Sequence, residues 1–213
     1  AWLSQSARWN KPLIDREGAV FGSLPDDDLL AWALAESNAV PLARLFCEQL
    51  LNRITPEHPA LWVSDSQGIE LASGLGLSLR DFAKMGQLLV EARSSRSRAK
   101  IPSWFIETLV ASSGMRSAAI KGLSKGSEQR YGFVHLGGAS NRIALIGAHG
   151  TSLYIDFDKR LVVAFFATRP GEITPATLAL LEQVWKAIDS AITKPEKIGN
   201  LETEASRALA GGY

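Results

Sequence analysis

Apolar residues recur at helical spacing through the first half of the chain and at strand spacing through most of the second. Over residues 26–38, Leu29, Leu30, Ala33 and Leu34 form one face, and the acidic residues at 26–28 suit the positive end of a helix dipole. Pro41 at a first turn predicts a second helix to about residue 52, with Leu42, Leu45, Phe46 and Leu50 on its apolar side. Residues 60–64, aromatic and β-branched, predict an extended segment, and 68–76 a glycine-punctuated loop. Ser78, three residues before Asp81, forms a capping pattern, with Leu79, Phe82, Met85 and Leu89 as the stripe behind it. Residues 94–100 are polar and basic and predict a loop, after which Pro102 opens a short helix to about residue 113.

Residues 131–136, 142–148, 152–157 and 161–168 predict four strands, with turns at Gly137-Gly138 and Asp158-Lys159. Thr174 as N-cap and Pro175 behind it open a long amphipathic helix to about residue 192. Its buried face is Leu178, Leu181, Val184, Trp185 and Ile188. Trp32, Trp62, Trp104 and Trp185 sit on apolar faces and predict core positions, as does Tyr131 at a strand start. Helices followed by an antiparallel meander and a long helix predict an α+β class. Residues 1–130 form a mostly helical region, with an irregular start anchored by Trp2 and Trp9; residues 131–192 form the strands and last helix of the same domain. Residues 193–213, rich in Lys, Glu, Ala and Gly, predict a flexible tail.

Composition narrows the function classes. With 213 residues and 46% hydrophobic content the chain can bury one substantial core. The 23 Lys and Arg against 22 Asp and Glu leave no basic footprint for nucleic acid. The longest apolar runs, such as 161–167, are strand-sized, whereas a membrane helix needs roughly 20 apolar residues, so no span is expected. The single Cys47 excludes an internal disulfide framework and a cysteine zinc site, and reads as a small buried hydrophobe on a helix. His58 and His135 stand apart from any acidic or cysteine cluster, so neither a metal site nor a cofactor is expected. No signal-peptide pattern follows Ala1, which places any targeting segment outside this sequence and leaves the compartment open.

Four stretches resemble the serine β-lactamase-like (penicillin-binding) superfamily, nearest the class C β-lactamase-related esterases and the aminohexanoate-oligomer hydrolases. VFGSLPDDDLLAW at 20–32 looks like the family segment Phe-x-Tyr-Ser-x-x-Asp-x-x-Leu-Leu-Gly-Trp. WVSDSQG at 62–68 through LRDFAKMG at 79–86 is similar to the loop and helix after it. Tyr131-Gly132-Phe133 resembles the first C-terminal core strand, and IGAHG at 146–150 with LYID at 153–156 resembles the strand of the third active-site motif. The likeness spans about residues 15–192 and implies the C-terminal two-thirds of a β-lactamase/transpeptidase-like fold. That fold is a helical region and an antiparallel sheet closed by a C-terminal helix, with its N-terminal part missing.

The resemblance implies acyl transfer through a serine ester. That chemistry uses Ser-x-x-Lys on a helix, because residues three apart share a face. A tyrosine or serine of a second motif relays the proton, and a third motif, Lys- or His-x-Gly on an edge strand, lines the pocket and helps form the oxyanion hole. The first motif is expected before residue 1. The one literal match, Ser97-Arg98-Ala99-Lys100, lies in a basic loop where nothing lowers the lysine pKa, and reads as solvated surface. The alignment puts Gly22 in the tyrosine position, and glycine cannot relay a proton. A one-residue slip would bring the Ser23 hydroxyl there instead. Ala148-His149-Gly150 keeps part of the third motif: His149 to polarise or bind an acyl carboxylate, Gly150 to let the backbone approach a ligand. The alternative for His149 is a polar residue at a strand end. The implied pocket is Gly22, Ser23, His149 and Gly150, without a nucleophile.

Three functions follow as expectations. The first is a hydrolase-family scaffold that has lost turnover, a pseudoenzyme binding a small ester, amide or peptide-like ligand. The second is one portion of an active serine hydrolase, its open sheet edge completed by an N-terminal segment or a second chain. The third is a structural interaction domain with a filled pocket.

Overall fold

The computed structural model describes residues 24–93, 101–111, 120–137, 141–168 and 173–193. Helix α1, Leu24–Asn38, begins two residues earlier than its acidic run, because Pro25 is compatible with a first turn. Helix α2, Leu42–Gln49, stops at Leu50, whose φ of −125° is not helical, and a 3-10 turn, Leu51–Arg53, continues the chain. Strand β1, Leu61–Ser64, pairs antiparallel with β2, Glu70–Gly76. Residues 68–76 are therefore not simply a loop. The ladder is distorted between Trp62 and Ser64, opposite Gly74, where a Cβ would lie 2.5 Å from the Val63 carbonyl oxygen. The glycines that suggested a loop instead permit close strand approach.

Helix α3, Leu79–Ala92, starts at the predicted cap: the Ser78 hydroxyl accepts from the Asp81 N–H at 3.1 Å and donates to its carboxylate at 2.7 Å. Helix α4, Ser103–Val110, follows Pro102.

The second sheet has five antiparallel strands in chain order: β3 Glu128–Arg130, β4 Phe133–His135, β5 Arg142–Ile146, β6 Ser152–Asp156 and β7 Leu161–Phe165. Strand β3 is polar throughout and carries no apolar alternation, so periodicity does not reveal it. The Tyr131-Gly132 turn that joins it to β4 has positive φ at both residues, 47° and 80°. Tyr131 thus sits at a hairpin tip and is 67% exposed, not in the core, because the turn geometry points the chain out of the sheet.

Alternate residues of β4 to β7 face one of two cores. Ile143, Leu153 and Ile155 meet Leu88, Ile106 and Leu109 of α3 and α4 on one face. Val134, Ala144 and Tyr154 meet Leu178, Leu181 and Trp185 of helix α5, Pro175–Thr193, on the other. Strand β6 is buried along its whole length because helices cover both faces. Thr174 caps α5, accepting from the Thr177 N–H at 3.2 Å. Trp185 is buried and Trp62 half-buried, whereas Trp32 and Trp104 are exposed, contrary to their expected core positions. Among those residues no helix is long and apolar enough to cross a membrane.

Candidate functional site

The β5–β6 connection carries the third-motif residues. Ile146 pairs with Ser152, leaving residues 147–151 to reverse the chain, and the Gly147 N–H donates to the Thr151 carbonyl at 2.8 Å. Inside this loop Ala148–Gly150 is a 3-10 turn, with His149 at φ 61°, ψ 10° and Gly150 at φ 89°. A left-handed backbone costs a residue with a Cβ about 1–2 kcal/mol. Strain of this kind concentrates where a side chain must be presented. His149 is exposed and Gly150 buried. An imidazole carries two ring nitrogens that can hydrogen-bond, so His149 is equipped for a hydrogen-bonding role. Ser152, two residues past Gly150, is fully buried, and its hydroxyl has no hydrogen-bond partner among the described residues.

Antiparallel pairing brings two further segments to this end of the sheet. Phe133 opposes Leu145, which places the Tyr131-Gly132 turn beside the end of β5. Phe165 opposes Ser152, which places the end of β7 beside the start of β6. Exposed rings flank the turn as a result. Phe165 and Phe166 are both partly open, and Phe82 approaches Phe166 with centroids 5.7 Å apart. On the other side Trp104, Phe105 and Tyr131 form a chain with spacings of 6.1 and 5.8 Å. Part of this rim, the doublet Phe165-Phe166 at a strand end, is visible in the sequence but was not singled out there, because the strand pattern alone accounts for it. The approach of Trp104 and Phe105 to Tyr131 depends on the packing of α4 against β4 and β5 and had no signal.

Asp81 positions the Phe82 side of the rim. Its buried carboxylate accepts from the Glu57 N–H at 2.8 Å and the His58 N–H at 3.1 Å, and Lys84 lies 3.6 Å away. The Glu57 backbone bond, with the Ser78 hydroxyl, the His58 N–H and the Lys84 charge, outweighs burial and lowers the Asp81 pKa to about 2. The start of α3 is thereby tied to residues 57–58.

Of the sequence-predicted site, His149 and Gly150 fall together in one turn. Gly22 and Ser23 lie outside the described residues, as does the Ser97–Lys100 stretch. Among the described residues no group of three or more His, Cys, Asp or Glu side chains is placed to share a metal.

No family model and no curated protein matches the sequence. Solved structures do match the fold. One, from Bacillus anthracis and assigned as a 6-aminohexanoate-dimer hydrolase, aligns with a TM-score of 0.65 at 22% identity over 84% of this chain and 45% of that one. The chain thus spans less than half the length of the structure it matches. At that identity the likeness is one of architecture, and function has to be argued from the site. The chain has a mixed helical and antiparallel-sheet fold that matches part of the fold of that hydrolase.

Proposed function

We propose that the chain is a β-lactamase-related serine hydrolase scaffold that binds a small ester, amide or peptide-like ligand at the His149 end of the sheet without turning it over. The fold match, with a TM-score of 0.65 over 84% of the chain, carries the family reading. His149 hydrogen-bonds the ligand's carbonyl or carboxylate, Gly150 leaves room for its backbone to approach, and the exposed rings cover its apolar part. Impaired turnover rests on the sequence alignment, which puts Gly22 in the tyrosine position. A fluorophosphonate and a fluorescent penicillin, applied to the longest native form of the protein, test this reading. Binding of the penicillin without covalent labelling is expected; covalent labelling would overturn the loss of chemistry.

The 45% coverage of the matched structure favours a second reading, in which this chain is one portion of an active hydrolase. A preceding segment or second chain would then supply the nucleophile helix and complete the sheet. Co-expression with that segment would restore ester hydrolysis, with Ser23 acting in place of the tyrosine. No gain of hydrolysis on co-expression counts against it.

A further inference from the structure

Arg130 of β3 pairs with Phe133 of β4, so the hairpin between them turns on Tyr131 and Gly132 alone. Both have positive φ, 47° and 80°. A two-residue turn of that kind favours Asn, Asp or Gly at its first position. Glycine at the second position suits the turn; tyrosine at the first does not. A left-handed backbone brings the Cβ of any other residue close to the following carbonyl oxygen, and for a bulky side chain the conformation is an outlier.

Burial does not account for the choice. Tyr131 is 67% exposed, although a strand-start tyrosine ordinarily packs inward. Its ring lies 5.8 Å from that of Phe105, which is itself only half-buried. Phe105 in turn meets Trp104 edge-on, with centroids 6.1 Å apart, and Trp104 is 61% exposed. An aromatic surface is thus held open to solvent by a residue in an unfavourable conformation. Strain and exposed apolar area both concentrate where a protein makes contact with something else.

The place of this turn says what that contact is. Phe133 stands opposite Leu145, so two residues further along each strand Tyr131 comes level with residue 147. Residue 147 begins the turn that carries His149. Neighbouring strands lie about 4.8 Å apart, so the two turns are adjacent. Phe105 packs against the core under α3 and α4, which puts the Tyr131 ring on that face of the sheet.

Resting on the ligand reading of the His149 turn, we propose that Tyr131 is a specificity-determining residue of that site. The ligand class it selects is an ester or amide whose acyl group carries an aromatic ring. The carbonyl side of the ligand meets His149, and its ring packs on Tyr131, with Phe105 continuing the aromatic surface. Aromatic pairs attract beyond the area they bury, because ring edges are positive and ring faces negative. The rings here stand at 48° and 89° to one another, so the surface offers both edges and faces. A saturated ring of the same size gains only the area.

N-phenylacetylglycine and N-cyclohexylacetylglycine test this, since they share the amide and carboxylate and differ only in the aromaticity of the ring. Their dissociation constants are measured by ligand-observed NMR titration of the full chain. The phenyl compound is expected to bind about five-fold more tightly to the wild type, and the two about equally to Tyr131→Asn. Tyr131→Asn is also expected to raise the thermal midpoint, because asparagine is at ease in the turn. Equal binding of the two compounds by the wild type, or a phenyl preference that survives Tyr131→Asn, would overturn the assignment of Tyr131 while leaving the ligand site at His149 in place. A lower midpoint in Tyr131→Asn would overturn it too, by showing that the tyrosine is there to pack on Phe105. If neither compound binds the wild type, the ligand reading falls and the assignment of Tyr131 falls with it.

Discussion

The Glu70 carboxylate of β2 accepts a hydrogen bond from the Ala43 N–H in the first turn of α2, at 2.9 Å. Pro41, the capping residue of that helix, has no side-chain acceptor, so a residue 27 positions away satisfies one of its orphan donors. Glu70→Ala is expected to destabilise the chain by about 1 kcal/mol, a typical cap loss, whereas Glu70→Gln keeps an acceptor and loses less. Urea unfolding midpoints check this; an unchanged midpoint for Glu70→Ala would show that water replaces the carboxylate.

Gly86 lies on the face of α3 that meets β6 and β7, where a Cβ would stand 2.6 Å from Val162 Cγ1 and 3.2 Å from Leu153 Cδ1. Alanine would gain up to about 1 kcal/mol in helix propensity, but overpacking against a β-branched strand residue costs about 1–3 kcal/mol. Gly86→Ala is therefore expected to destabilise. Val162→Ala should recover part of the loss when combined with it, and a double-mutant cycle measures that coupling. Additive effects would show that α3 shifts away from the sheet instead.

Asp81 governs stability in acid. Its carboxyl is held at about 2, below the ordinary 3.8, chiefly by the Glu57 backbone N–H. A depressed carboxyl contributes stability that is full above its unfolded pKa and is lost as pH falls through the folded one. The loss should run from about pH 4 down to pH 2. Glu57, lowered by its bond to Lys84, acts in the same direction. Asp81→Asn should flatten the dependence of the urea midpoint on pH in that window; parallel profiles for variant and wild type would refute the assignment.

At the alkaline end Tyr154 gives the opposite slope. Burial raises its phenol from 10.0 to about 12, so its contribution is complete below pH 10 and is lost as pH approaches 12. Ultraviolet titration should show a tyrosine ionising at about pH 12, and Tyr154→Phe should remove that step. The same variant keeps the stacked ring over Trp185, 5.5 Å between centroids, so the second core should persist.

His149→Gly separates strain from function. Relief of the left-handed backbone is worth about 1–2 kcal/mol, and the extra freedom of unfolded glycine removes about 0.5–1 kcal/mol of that. Stability should therefore stay within about 1 kcal/mol of wild type or rise slightly. Non-covalent penicillin binding should be lost. Retained binding would show that His149 is only a turn residue.

Much of the architecture was written locally. The Ser78–Asp81 cap, the Thr174 cap and the alternation along β5, β6 and β7 each depend on residues a few positions apart, and each appears where expected. The site was legible only in part. His149 and Gly150 were marked by type and order, but the left-handed turn that presents them was not.

What the amino-acid sequence by itself determined, then, is most of the elements, β2 and β3 excepted, because helix caps and strand alternation are short-range. Tertiary structure alone decided the rest. Gly74 became a strand residue because Val63 approaches it, and Tyr131 became exposed because a polar β3 pairs with β4. Asp28 came to bind the Ala72 N–H at 2.8 Å, and Arg142 came to share a cavity wall with Trp185. Each of these needs a partner distant in the chain, and a pattern read over a few residues carries no information about which distant group will arrive.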